Sequence, residues 1–208
     1  MKKILLILVL LIAAFWAYKY FKTDDAKAVH EKPKPVAVSV HSEAFNQSLA
    51  DMLTGYYAMT DGFVNWDSSV VNTQANRLQG SLDNLLMDEL KMDSVIYQTA
   101  LFPFENARSG VGAILSATDW EGKRRGLQDL SENIRMLLIT VKYDGATLYW
   151  QECPMAFGEG VRGNWLSAEE TVVNPYLGNK DPQYGATMLH CGETKATIGP
   201  STTDQPAQ

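Results

Sequence analysis

Apolar residues recur every three to four positions along four stretches of this chain. The first runs from about Glu43 to Asn65, with Phe45, Leu49, Met52, Leu53, Tyr56, Met59 and Phe63 in phase. The second, from about Ser68 to Leu90, carries Val71, Ala75, Leu78, Leu82, Leu85 and Leu86 behind an N-cap at Asp67 or Ser68. The third starts near Asp93 and carries Tyr97, Leu101, Phe104, Val111, Ile114 and Leu115. The fourth opens on the capping box Thr118-Asp119-Trp120-Glu121 and continues through Leu127, Leu130, Ile134, Leu137 and Val141. One apolar stripe per stretch is the signature of an amphipathic helix. Helices of about 23 residues are roughly 35 Å long. Their connections are too short to do more than reverse direction. The pattern therefore predicts an all-α fold, an antiparallel up-and-down four-helix bundle. Pro103 predicts a kink or break in the third helix, because proline removes a hydrogen bond and clashes with the preceding turn.

The periodicity stops after Lys142. Tyr143-Asp144-Gly145-Ala146 is a turn signal, and Leu148-Tyr149-Trp150 reads as extended. From Gln151 to Ile198 the chain is rich in Gly, Pro and Asn, yet it holds Phe157, Trp165, Leu166, Tyr176, Leu177, Tyr184 and Met188. A segment this long is not an idle loop in a compact domain. It is expected to be a C-terminal irregular segment wrapped against the bundle, burying those side chains.

The other end of the chain changes the picture of where the bundle resides. Lys2 and Lys3 precede an apolar run, and Ile4–Phe21 is about 18 residues, close to a bilayer span. Trp16, Tyr18 and Tyr20 stand where interfacial aromatics stand. The run reads as an uncleaved anchor in the inner membrane, with cleavage at Ala26-Lys27-Ala28 as the alternative. Either way, residues beyond about 30 face the periplasmic side of a bacterial envelope. The resulting organisation is residues 1–22 as signal anchor or signal peptide and 23–42 as a charged linker interrupted by Pro33 and Pro35. Residues 43–198 form the helical domain with its wrap, and 199–208 a polar tail.

A net charge of -6 and a sequence pI near 5.1 argue against nucleic acid as a partner, since phosphate binding needs a basic face. No H-E-x-x-H, G-x-S-x-G or phosphate-loop motif occurs, and no enzymatic activity is expected. Gly158-Glu159-Gly160-Val161-Arg162-Gly163 satisfies G-x-G-x-x-G, but it opens no helix and follows no βαβ strand, so its glycines serve turns.

The candidate chemistry lies in two short motifs that hold the only two cysteines, Cys153-Pro154-Met155 and Met188-Leu189-His190-Cys191-Gly192. Cys153 and Met155, two apart, share a face in an extended chain. Met188 and Cys191, three apart, converge in a single turn. If the motifs meet, Cys153, Met155, Met188 and Cys191, with His190 as an additional ligand, would offer soft donors suited to Cu(I) or Ag(I). The same cysteines, in an oxidising compartment, could instead bond to each other. That bond would close a loop of about 40 residues and stabilise the fold by about 4 kcal/mol through loop-closure entropy. The residues themselves leave both readings open.

Several of these runs also carry a resemblance. Tyr149-Trp150-Gln151-Glu152-Cys153-Pro154-Met155-Ala156, Gly163-Asn164-Trp165-Leu166-Ser167, Asn174-Pro175-Tyr176-Leu177-Gly178 and Met188-Leu189-His190-Cys191-Gly192 resemble four ordered motifs of one family. Arg125-Gly126-Leu127-Gln128-Asp129-Leu130-Ser131 is similar to its signature on the last helix. The family is a bacterial domain of unknown function that also occurs attached to periplasmic adaptor subunits of Cus-like heavy-metal efflux systems. The resemblance covers roughly residues 45 to 195. It implies a non-enzymatic helical domain of the envelope, a link to copper or silver handling, and a metal-efflux or envelope protein as partner. The chain departs from the family pattern at Leu127, where an aromatic is usual, and in the longer link Gly178–Thr187 before Met188.

Overall fold

The structure, a computed structural model, describes residues 15–16 and 40–200. The chain divides into two compact units, Met1–Val38 and Ser39–Gln208. In the first, only Phe15 and Trp16 are described, both helical and exposed. The expected anchor at 4–21 and most of the 23–42 linker therefore lie outside the described residues, as does the tail from 201. Among the described residues no helix is long and apolar enough to cross a membrane.

Four helices form where the apolar stripes lie: α1 (Glu43–Val64), α2 (Ser68–Asp83), α3 (Ser94–Ser116) and α4 (Trp120–Thr140). Each begins at a side chain that accepts hydrogen bonds from otherwise unpaired backbone N–H groups. Ser42 takes that of Phe45, Asp67 those of Ser69 and Val70, Asp93 those of Val95 and Ile96, and Asp119 that of Gly122. The fourth cap is Asp119 rather than the Thr118 of the expected capping box.

Two helices differ from expectation. α2 ends at Asp83 instead of continuing to Leu90, and a 3-10 turn follows over Met87–Met92. Leu85, Met87 and Leu90 are still buried, so the apolar spacing is kept while the backbone leaves the helix to close the end of the core. α3 runs unbroken through Pro103, which faces the core with Ala100 and Ala107. Burial of the ring and packing on both flanks hold the helix together despite the hydrogen bond it cannot make.

The larger correction concerns fold class. The protein is not all-α. The segment after α4 builds a three-stranded antiparallel sheet, with β1 (Leu148–Cys153) between β2 (Gly163–Ser167) and β3 (Glu193–Ile198). Trp150 faces Leu166 across the β1–β2 ladder, and Cys153 faces Gly163. The strands carry no alternating pattern for physical reasons. β1 is buried along nearly its whole length, β2 is buried at four of its five positions, and β3 is polar and mostly exposed. What was expected to be an irregular wrap is a sheet with turns between its strands.

Buried hydrogen bonds dock this sheet on the helices. The Leu166 N–H of β2 donates to the Tyr56 hydroxyl oxygen of α1 at 3.2 Å. Ser131 of α4 commits its proton to the Leu127 carbonyl at 2.7 Å, so Tyr56 is the donor in its 2.7 Å bond to Ser131 Oγ. One directed relay therefore joins β2, α1 and α4. Burial pushes the Tyr56 hydroxyl up to about 12, which keeps the proton in the relay at any ordinary pH. Tyr176, fully buried, adds a second tie. Its hydroxyl lies 2.5 Å from the Asn164 carbonyl and 2.9 Å from Gln128 Oε1 of α4.

Removing the Tyr56 hydroxyl strands the Leu166 N–H and the Ser131 oxygen in the core, and an unmade buried hydrogen bond costs about 1–3 kcal/mol. Tyr56→Phe is expected to lower the urea midpoint accordingly with the slope unchanged. A midpoint equal to wild type would show that the sheet does not depend on this relay.

Candidate functional site

Sheet topology brings the two cysteines together. Cys153 ends β1, and Cys191 lies two residues before β3 in a turn closed by its own N–H on the Met188 carbonyl at 2.9 Å. Because β1 and β3 are antiparallel, with Glu152 opposite Glu193, the end of one strand meets the start of the other. The two Sγ atoms are 3.8 Å apart, and both residues are free thiols. Cys153 has no solvent exposure, while Cys191 is half-buried.

Gly192 makes this approach possible. It has φ +139, and a Cβ there would come 2.6 Å from the Glu152 carbonyl oxygen of β1. Only glycine combines that backbone conformation with that closeness.

A buried amide fixes the turn from below. Asn174, with no exposure, accepts the N–H groups of Tyr176 at 2.8 Å and Leu177 at 3.2 Å through Oδ1. Its Nδ2 donates to the Cys191 carbonyl at 2.9 Å, and its own N–H donates to the Leu189 carbonyl at 2.8 Å. One residue thus ties the turn at Cys191 to the turn at Tyr176 and Leu177.

Burial pushes the Cys153 thiol up to about 11, and hydrogen bonds from the Met155 backbone and Asn174 offset only part of that. The Cys153 sulfur therefore keeps its proton near neutral pH. A buried thiol of this kind is inert compared with an accessible one, and it is the thiolate that binds metal or attacks sulfur.

The other candidate ligands have separate surroundings. Met155 is half-buried and lines a cavity of about 360 Å³ with Glu121, Arg124, Phe157, Asp181 and Tyr184; neither cysteine, Met188 nor His190 lines it. The guanidinium there is already committed, to the Tyr176 carbonyl at 2.9 Å, the Trp120 carbonyl at 3.2 Å and the Trp66 ring. Met188 is half-buried against the apolar core. His190 is exposed, with Nδ1 2.7 Å from the Val172 carbonyl, which places its proton on that nitrogen. Among the described residues no group of three or more His, Cys, Asp or Glu converges as a metal site. The two cysteine sulfurs do meet.

Sequence reasoning placed Asn174 and Gly192 inside motifs but gave them no role. The available signal was Asn before Pro, since an Asx side chain turned back on the backbone is a turn device. Comparison of the chain with protein-family models, curated proteins and solved structures finds no match.

The raised Cys153 value has a linkage consequence. Below about pH 9 the thiol is protonated in both folded and unfolded states. Between about 9 and 11 the unfolded chain releases that proton while the folded one holds it, so the reduced protein loses stability as pH rises. The stability difference between reduced wild type and reduced Cys153→Ala is expected to shrink across that window, as measured by urea unfolding at each pH. A difference independent of pH would contradict the burial of this thiol.

Proposed function

We propose that residues 39–208 are a non-enzymatic interaction module of the bacterial envelope, whose C-terminal segment is closed by a disulfide between Cys153 and Cys191. The observation that carries this reading is the 3.8 Å contact between two sulfurs 38 residues apart in sequence. A bonded pair needs about 2.05 Å, so a modest movement of the 186–191 turn completes it. The apolar run Ile4–Phe21 supports an envelope setting, where disulfides persist.

A soft-metal reading rests on the same pair. Two sulfurs 3.8 Å apart are close enough to bind one soft cation together. The reduced cysteines would then seat Cu(I) or Ag(I) by two sulfurs, with loss of the Cys153 proton on binding. His190, with Nδ1 on the Val172 carbonyl, keeps Nε2 as its available donor nitrogen.

The two readings separate in one set of measurements on the full chain purified under oxidising conditions. A disulfide predicts no reactive thiol in denaturant and a lower melting temperature after reduction, by 5 °C or more for about 4 kcal/mol of loop-closure entropy. Two reactive thiols with unchanged melting on reduction would reject it. Competition with a coloured Cu(I) chelator by the reduced chain, lost in Cys153→Ser and Cys191→Ser, would favour the metal.

A further inference from the structure

We infer that the Cys153–Cys191 pair is a thiol–disulfide exchange site with a fixed direction: an incoming disulfide reacts first at Cys191, and Cys153 resolves the mixed disulfide. This inference rests on the disulfide reading above and names the chemical partner of that pair.

The asymmetry is geometric. Cys153 ends a central strand, has no solvent exposure and is covered by the turn that carries Cys191. Cys191 is half-buried, lies on that turn and follows the exposed His190. An external sulfur has surface to approach at Cys191 and none at Cys153.

The resolving step has its partners in place. Once Cys191 carries an external thiol, its Sγ remains near Cys153 Sγ, which is 3.8 Å away in the dithiol. Intramolecular attack then gains from high effective concentration. Asn174 Nδ2 holds the Cys191 carbonyl at 2.9 Å, which keeps the Cys191 turn in place while the bond forms.

The atoms and electrons balance with an external disulfide as oxidant. The Cys191 thiolate attacks one sulfur of R–S–S–R, forming Cys191–S–S–R and releasing one thiolate. Cys153 loses its proton and attacks Cys191 Sγ, forming the internal disulfide and releasing the second thiolate. Both leaving thiolates take up the protons the cysteines gave up. The protein dithiol is oxidised by two electrons, and R–S–S–R becomes two R–SH. The reverse path, reduction by an external dithiol, enters at Cys191 for the same steric reason.

The test uses the reduced full chain, Cys153→Ala and Cys191→Ala with oxidised glutathione at pH 7.5, followed by intact mass and peptide mapping. Cys153→Ala is expected to accumulate one glutathionyl group on Cys191. Cys191→Ala is expected to react at least about tenfold more slowly at Cys153 and to match the other variant in denaturant. Wild type is expected to pass to the internal disulfide. A brief iodoacetamide pulse on unmutated reduced chain keeps the direction testable if either variant misfolds: Cys191 is expected to be labelled at least tenfold ahead of Cys153. Equal labelling, or faster labelling of Cys153, would overturn the direction. Labelling of Cys191 first with no internal disulfide formed in wild type would instead overturn the disulfide reading and leave the accessibility order standing.

Discussion

The arrangement of the C-terminal half depends on one buried amide. Asn174 has no access to water, and an amide left unpaired there would cost more than most single contacts contribute. Its oxygen accepts two backbone N–H groups that have entered a tight turn, its nitrogen holds the Cys191 carbonyl, and its own N–H holds Leu189. These bonds stand in for a strand ladder. The stretch between β2 and β3 has no long-range regular pairing, yet it must bring residue 191 back to the end of β1. A single side chain that closes two turns at once does this with little chain. Pro175, next in sequence, limits the conformations from which the turn must be selected.

The helices give that segment something rigid to rest on. The Tyr56–Ser131 relay and the Tyr176–Gln128 contact both run from α1 or α4 into the backbone of β2 or its neighbours. At the far side, the Trp66 indole donates to the Leu177 carbonyl at 2.8 Å, and the Asn179 N–H reaches the Val64 carbonyl at 2.9 Å. Gly178, at φ +59, is the residue that lets the chain pass there, since a Cβ would lie 2.4 Å from that same carbonyl. Lys123 does a related task within the bundle. Its buried ammonium bonds Asn72 Oδ1 at 2.7 Å and the Ile114 carbonyl at 2.8 Å, satisfying one of the last carbonyls of α3 where the helix dipole favours a cation. Burial lowers its pKa, the cost of placing a charge there without a carboxylate.

The legible part of this protein was the part with a period. Phe45 through Phe63 and Leu127 through Val141 read as amphipathic helices because burial on one face leaves a 3.6-residue imprint. The sheet left none. Gln151, Glu152 and Cys153 are consecutive and all buried, so β1 shows no alternation, and Glu193–Ile198 is too polar to announce a strand. Leu85 and Leu86 misled in the opposite sense, since their spacing continued after the helix had ended. At the thiol pair, residue types suggested five converging ligands. Strand order, which spacing along the chain does not encode, is what brings the two cysteine sulfurs of that set together. Asn174 and Gly192 were visible as letters, but their roles depend on a partner about twenty or forty residues away.

The energetics of that meeting follow from how little of it remains to be arranged. Gly192 permits the close approach to Glu152, and Asn174 already fixes the turn, so closing the sulfur pair asks for a local shift rather than a new fold. Native-state strain is what most often erodes the benefit of a cross-link, and here the dithiol state already supplies the approach. The effect of the bond would then fall mainly on the unfolded chain, by about 4 kcal/mol for a loop of about 40 residues. A domain of this size has a net stability of about 5–15 kcal/mol. One sulfur pair could therefore govern a quarter or more of the whole, concentrated on the segment with the fewest regular hydrogen bonds. The helical bundle, cross-linked nowhere, would keep its packing in either redox state, while the ordering of the sheet edge and its turns would follow the thiols.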